Sequence, residues 1–338
     1  MSSPSLKDLA QAAGVSKSTA QRAMSNDPRC AIETREKVQK TAAEMGYRPN
    51  PIFSSMGFRN EHKRLDGVPL AYLDVVMSEE KAAGTSYFPA ASKRAFQLGY
   101  NLQHFNIGEW ECPEQVWKVL YARGFAGILL GRVHARDLPL LKQNELFPVV
   151  CCGRLDALPY HMVRPSILRS MHWLWRKLAA MGYRRIGAAI GRHEPAVEDD
   201  FSRYASVLAC QAETEGESEA IPPFLGFPAS TKELGDWAKK YRPDVVIGFH
   251  TGQYYALHDA GFTIPEELGY VALHSDSTSE LKICSLNQNY FLIGECAVNL
   301  LDQLIRHGER GLPENPLNVI VEPSWIDGRT LVDRMAVV

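Results

Sequence analysis

The sequence of 338 residues contains no apolar run long enough to cross a membrane, because a transmembrane helix needs about 20 such residues. Residues 1–14 also lack the apolar segment that is typical of a secretory signal peptide. We therefore expect a cytoplasmic protein. The chain is too long for one ordinary hydrophobic core, so we expect two or three domains.

Cysteine patterns and catalytic motifs are also missing. The seven cysteines form no C-x-x-C pair, so neither a disulfide framework nor a zinc site is expected. Adjacent Cys151 and Cys152 are interpreted as thiols of a buried strand, with a redox role as the alternative. The chain has no G-x-S-x-G, P-loop, G-x-G-x-x-G or H-E-x-x-H motif. We therefore expect no enzyme, no metal and no cofactor.

The charge is unevenly distributed. Residues 1–64 contain eleven Lys/Arg and six Asp/Glu, which gives +5, so the remainder of a chain with net charge −2 carries −7. A basic N-terminal part on an acidic remainder indicates that only the former meets a polyanion.

Three short helices are predicted in residues 1–48, which we call the head. They cover about 6–13, 17–24 and 33–45. Ser5 and Asp8 have the spacing of a capping box, and Ser16 is placed to cap the second helix. Apolar residues recur on one face of each helix, as expected for a small shared core.

The pattern changes beyond the head. Residues 49–66 are mixed, polar and basic, and are predicted to form a hinge and linker. From residue 67 to 338, which we call the body, short apolar runs alternate with helical segments. This alternation predicts an α/β fold with parallel sheets covered by helices on both faces. The predicted strands are 68–76, 101–105, 126–130, 149–152, 186–190, 245–249 and 270–273, and the predicted helices are 88–98, 114–123, 166–181, 200–213, 231–240, 253–260 and 291–307.

The second predicted helix has the character of a recognition helix. In a helix-turn-helix the start of this helix faces the major groove. Lys17, Ser18 and Arg22 can project outward while Ala20 and Ala23 face the core. Arg22 can donate two hydrogen bonds to guanine. Lys17 can contact guanine or a phosphate, and both interpretations stay open.

The motif LKDLAQAAGVSKSTAQR (6–22), followed by TREKV (34–38) and GYRPN (46–50), resembles the lac/galactose repressor family of bacterial regulators. Further matches, including MGYRRI (181–186), IPEEL (264–268) and Gln288, extend the resemblance over nearly the whole chain. It implies a body of two lobes like a type I periplasmic binding protein, crossed by three chain segments. The first lobe is expected at about 67–160 and 290–322, and the second at about 161–289 and 323–332.

The resemblance also implies a dimer whose paired hinge segments enter the minor groove of an operator. Met56 stands where the family usually has leucine, and an apolar side chain there can wedge between base pairs. The residues expected to contact DNA are Ser5, Leu6, Ser16, Lys17, Ser18, Thr19, Gln21, Arg22, Arg29, Thr34, Tyr47, Asn50, Ser54 and Met56.

The expected effector cleft departs from the sugar-binding pattern of that family. Asp200 replaces the usual arginine, His274 replaces an aspartate, and Phe249-His250 replaces Asn-Asp. An effector that is carbohydrate-derived or anionic is expected, because arginines can hold a carboxylate or phosphate and aromatic rings can stack on a flat face. Alternatively, the arginines pair within the protein, or the cleft binds nothing. The candidate effector residues are Tyr87, Phe88, Arg154, Arg164, Asp200, Phe227, His250 and His274.

These observations favour a nucleoid-associated transcriptional regulator that is a repressor in the usual manner of the family, with activation left open. It would bind a palindromic operator as a homodimer, and a small molecule between the lobes would shift its conformation. The alternative is a solute-binding module without a regulatory role, which the predicted head argues against.

Overall fold

The computed structural model describes residues 4–24, 30–45, 47, 67–74, 87–107, 115–131, 144–153, 159–192, 196–214, 216, 219–226, 231–274 and 282–335. The predicted hinge at 49–66 lies outside these residues. Within the described part of the chain, no helix has both the length and the apolarity needed to cross a membrane.

The head contains three helices: α1 (Leu6–Ala13), α2 (Lys17–Met24) and α3 (Ile32–Met45). The predicted capping box is present. Ser5 Oγ accepts the Asp8 N–H at 3.3 Å, and Asp8 Oδ2 accepts the Ser5 N–H at 2.8 Å. These bonds satisfy amides that a first helical turn leaves without partners. The Ser5 hydroxyl also donates to Asp8 Oδ2 at 2.7 Å, and this bond, together with the one from the Ser5 N–H, lowers the pKa of the Asp8 carboxyl. The buried core of the head consists of Leu9, Ala10, Ala13, Ala20, Ala23, Cys30, Val38 and Ala42.

The body is built from short strands and longer helices. The strands are β1 (Val68–Asp74), β2 (Tyr100–Asn106), β3 (Ile128–Leu130), β4 (Val149–Cys152), β5 (His161–Pro165), β6 (Ile186–Ala189), β7 (Val245–Gly248), β8 (Gly269–Ala272), β9 (Ser285–Asn287), β10 (Asn318–Val321) and β11 (Ser324–Ile326). The helices are α4 (Phe88–Gln97), α5 (Val116–Ala122), α6 (Ile167–Ala180), α7 (Glu198–Glu213), α8 (Thr231–Tyr241), α9 (Thr251–Asp259) and α10 (Tyr290–His307).

The first lobe contains a six-stranded sheet in the order β10-β5-β4-β3-β1-β2. All of its strand pairs are parallel. Helices α4 and α10 cover one face, where Ala91 and Ile293 pack against Leu70. Helix α5 covers the other face through Trp117 and Leu120. Both faces are buried, which explains why β1, β3 and β4 are nearly continuous apolar runs.

The second lobe contains a five-stranded sheet in the order β11-β9-β8-β7-β6. Its pairs are parallel except for antiparallel β11 and β9. Helices α6 and α7 pack on one face, and α8 and α9 on the other. Phe224 adds a parallel bridge to Ala189 at the β6 edge. The predicted fold class, a helical head with two parallel-sheet lobes, is confirmed.

The predicted helices and strands are all found with their ends shifted by a few residues, but β5, β9, β10 and β11 were missed. These four strands are short and mix polar residues or proline with apolar ones, so they lack the apolar runs on which the prediction relied. The interpretation of Cys151 and Cys152 as buried strand thiols is confirmed, and burial raises the pKa of both.

Strand pairing also shows that the chain crosses between the lobes later than predicted. The sequence analysis assigned residues from 161 onward to the second lobe. However, Val150 pairs with His161 and Cys152 with Val163, so β5 belongs to the first sheet. The chain therefore crosses after Pro165, and α6 is the first element that packs on the second sheet.

Helix α6 offers a direct test of the second-lobe core. Leu174 is 0% exposed and Leu168 is 53% exposed on the same helix. We expect Leu174→Ala to lower the free energy of unfolding of this lobe by about 2–5 kcal/mol, because it leaves a cavity. Leu168→Ala is the matched control and should cost less than about 1 kcal/mol. Urea unfolding followed by circular dichroism measures both, and equal losses would contradict the packing described here.

Candidate functional site

The N-terminal turn of α2 is organised by hydroxyl groups. Ser16 Oγ accepts the Thr19 N–H at 3.1 Å and lies 2.8 Å from Thr19 Oγ1 and 3.0 Å from Ser18 Oγ. Ser16 therefore caps α2 as predicted, and all three hydroxyls gather at the helix start. Amide and hydroxyl groups at such a position suit the oxygen atoms of an anion such as phosphate.

The outward face of α2 carries the predicted contact residues. Lys17, Ser18 and Arg22 are exposed, whereas Ala20 and Ala23 are buried in the head core. The orientation predicted from the residue pattern is thus present. Contact of these side chains with DNA stays a prediction. Gln21 is half-buried beside them.

A residue that the sequence analysis missed fixes the end of α2. Gln39 of α3 donates from Nε2 to the carbonyl oxygen of Ala23 at 3.1 Å. This bond satisfies one of the carbonyls that the end of a helix leaves open, and it couples α3 to α2. The sequence pattern indicated this bond only weakly, because a glutamine on a polar helix face usually points to solvent.

The other predicted residues of the head have different environments. Ser5 is exposed at the start of α1, and Leu6 is half-buried against the core. Thr34 is half-buried in the first turn of α3. Tyr47 packs on the core, and this burial raises its pKa. Arg29, Asn50, Ser54 and Met56 lie outside the described residues.

In the body, the predicted cleft residues follow the carboxyl ends of parallel strands, where α/β folds bind ligands. His274 follows β8, and its Nδ1 lies 3.1 Å from the hydroxyl of Tyr290, which begins α10. The Tyr290 ring contacts Tyr87 edge-on, with 5.3 Å between centroids. The His274 ring contacts Phe249 at 4.8 Å. These four rings form a continuous group, which we call the ring chain.

The ring chain joins the two lobes. Tyr87 and Tyr290 belong to helices that pack on the first sheet, whereas Phe249 and His274 follow strands of the second sheet. Tyr87 and His274 were predicted, but Tyr290 was not. An aromatic residue two positions after Gln288, which is part of the family resemblance, was an available signal.

Arg164, near the end of β5, and Arg203, in α7, are paired with acidic residues at the start of α7. Arg164 Nη1 lies 3.8 Å from Asp199 Oδ1. Asp200 forms an ion pair with Arg203 and also accepts the Val197 N–H at 2.9 Å. Arg164 and Asp200 were predicted, whereas Arg203 was missed as a site residue. Of the alternatives for Arg164, the described contacts support pairing within the protein.

His250 has a structural role. It caps α9, its Nδ1 accepts the Gly252 N–H at 2.8 Å, and its carbonyl accepts the Tyr270 hydroxyl at 2.7 Å. Phe88 lies apart from the ring chain, because its ring contacts Tyr72 and His104 at 5.3 Å each. His250 remains next to the ring chain, because its ring centroid lies 6.0 Å from that of Phe249. Arg154 and Phe227 lie outside the described residues.

The described residues contain no group of three or more His, Cys, Asp or Glu side chains that could hold a metal ion.

Comparison with known proteins gives a consistent result. Residues 5–50 match the family described as bacterial regulatory proteins, lacI family. The chain is 23% identical over 353 aligned residues to the repressor PurR of Escherichia coli, with 97% of each chain covered. It is 30% identical over 139 residues to the ribose operon repressor of Lactococcus lactis, which covers 40% of this chain and 39% of that protein.

Solved structures show the same fold. The complex of the transcriptional regulator CelR with cellobiose superposes with a TM-score of 0.62 at 20% identity, covering 97% of this chain and 99% of that one. The lac repressor dimer bound to operator and the anti-inducer ONPF gives a TM-score of 0.59 at 18% identity, with the same coverage.

The hydrogen bond between His274 and Tyr290 can be tested in isolation. Tyr290→Phe keeps the ring and removes the hydroxyl that faces His274. We expect the free energy of unfolding to fall by about 0.5–1.5 kcal/mol, which is the usual net value of one such bond. The exposed Tyr255 of α9 provides the matched control, Tyr255→Phe, which should change it by less than about 0.5 kcal/mol. If both variants unfold at the same urea concentration as the unchanged protein, the bond contributes nothing.

Proposed function

We propose that this chain is a lacI-family transcriptional regulator that represses transcription by binding a palindromic operator as a homodimer, under the control of a small molecule held between its lobes. The relatives named above are transcriptional regulators rather than enzymes. The proposal places the protein in the cytoplasm, bound to the nucleoid.

One observation carries the proposal. Helix α2 presents Lys17 and Arg22 on an exposed face while its other face is packed into the head core. A helix placed in this way can enter the major groove, where an arginine can bind guanine in bidentate fashion. The hydroxyls of Ser16 and Thr19 then suit phosphate contacts that set the position of the helix without selecting sequence.

Dimerisation and the hinge complete the proposed mechanism. A palindromic site requires two heads related by a twofold axis, so the head alone is insufficient. We propose that residues 49–66 form a hinge that is ordered on DNA and that Met56 enters the minor groove there. Closure of the lobes around a ligand would change the spacing of the two hinges, and thereby the affinity for the operator.

The alternative is a solute-binding module that uses the body and has no regulatory role. The body fold is compatible with this function, because it is shared with periplasmic receptors. The capped and packed head favours regulation, since a receptor has no use for an exposed basic helix on a separate core.

Selection of random duplex DNA by the purified protein, followed by sequencing, tests the proposal. We expect a palindrome with a flexible pyrimidine–purine step at its centre, where a wedge inserts at least cost. Selection should be repeated with a metabolite extract, because a corepressor can be required. A folded protein that retains no motif under either condition would contradict the proposed function and favour the solute-binding alternative.

Arg22 provides a sharper test of the recognition helix. Arg22→Ala removes the guanidinium that we expect to contact guanine, so base preference should relax at one position in each half-site, with a loss of about 1–3 kcal/mol in discrimination. Lys40→Ala on the exposed face of α3 removes the same charge from the head and serves as the control. It should leave the selected motif unchanged. An unchanged motif for Arg22→Ala would place base recognition elsewhere.

A further inference from the structure

The charged side chains of the cleft are paired with each other. Arg164 near the end of β5 and Arg203 in α7 carry the guanidinium groups that are suited to hold an anionic ligand. Each lies next to a different aspartate in the first turn of α7, which follows β6. Two consecutive residues, Asp199 and Asp200, thus point to two different arginines.

The pair formed by Asp200 and Arg203 is buried. Asp200 is 5% exposed and Arg203 is 6% exposed. The guanidinium of Arg203 also lies over the ring of Phe249, 4.6 Å from its centroid. Each group therefore has several partners inside the protein. Separating them would leave an uncompensated charge in a site of low polarity, which is strongly unfavourable.

The pair formed by Arg164 and Asp199 is partly accessible. The Arg164 side chain is 24% exposed and that of Asp199 is 14% exposed. Arg164 lies in β5 directly before Pro165, where the chain leaves the first sheet. Asp199 belongs to the second lobe, so this ion pair connects the lobes beside the ring chain.

We propose that Asp199 and Asp200 determine the ligand specificity of the cleft by neutralising its arginines and so excluding anionic effectors. A carboxylate or phosphate would have to displace an aspartate from its arginine, and repulsion from the displaced aspartate would oppose binding. This inference rests on the proposed function only in taking the cleft as a ligand site, and it narrows the class of ligand that the cleft accepts.

The ring chain defines what the cleft takes instead. Tyr290, His274 and Phe249 are half-buried and present aromatic and imidazole surface, whereas Tyr87 is buried. Such surface stacks on the flat face of a ligand ring, whether aromatic or pyranose. The cleft is therefore suited to an uncharged ligand with one flat face, bound by stacking and by hydrogen bonds to hydroxyl and imidazole groups.

The test uses inorganic phosphate as the probe and the full-length protein without DNA. Asp199→Asn keeps the size of the side chain and removes the negative charge that faces Arg164. We expect a saturable rise in the thermal midpoint of this variant with phosphate at constant ionic strength, by about 3 °C at saturation. The unchanged protein should show no saturable rise. Glu198→Gln removes an equivalent charge from the same helical turn and is the matched control, which should behave like the unchanged protein.

Further variants make each outcome decisive. The double variant Asp199→Asn with Arg164→Gln should lose the response, which would assign it to Arg164. A saturable response of the unchanged protein that Arg164→Gln abolishes would overturn the proposal. The proposal would also be overturned if the Asp199→Asn variant folds, as judged by circular dichroism, but shows no response to phosphate. If Asp199→Asn does not fold, Asp199→Ser takes its place in the same experiment. Because no operator is used, failure here is distinct from failure of the regulatory function.

Discussion

Parallel strand pairing is the constraint on which the body depends. Each lobe aligns its parallel strands so that their carboxyl ends lie along one edge, as in the continuous register from Val68 opposite Tyr100 to Asp74 opposite Asn106. The register is strongly specified because both faces of each sheet are buried, and a slip of one residue would turn apolar side chains to the wrong face. This alignment brings Arg164, His250 and His274 to the carboxyl ends of parallel strands, although they lie far apart along the chain.

The head is stabilised in a different way, by packing of its helices around a common core. Its helices are too short to be stable in water on their own, so their formation requires the common core of Leu9, Ala20 and Val38. The direction of α2 is therefore set by packing against α1 and α3, and the bond from Gln39 to Ala23 adds a polar constraint at its end. The same core that stabilises the head thus determines which side chains of α2 face outward.

The surroundings of Asp200 show how a buried carboxylate is stabilised. Asp200 stands where the resembling family has a ligand-binding arginine, and Arg203 lies one helical turn later. A lone buried carboxylate would be very unfavourable, but an ion pair that also caps the helix start and stacks on Phe249 has its polar groups satisfied. Arg203 thus neutralises a carboxylate of its own helix.

The sequence by itself determined the elements whose signals are local: the capping box of Ser5 and Asp8, the buried and exposed faces of α2, and the apolar strands and amphipathic helices of both lobes. It did not reveal the short strand His161–Pro165, whose place in the first sheet comes from pairing with β4 and β10. Nor did it show that Tyr290 meets His274, that His250 caps a helix, or that Arg203 pairs with Asp200. Only the tertiary structure decided these contacts, because the partner of a polar or aromatic side chain depends on which strand ends and helix turns the fold brings within a few ångströms, and sequence spacing carries no such distance.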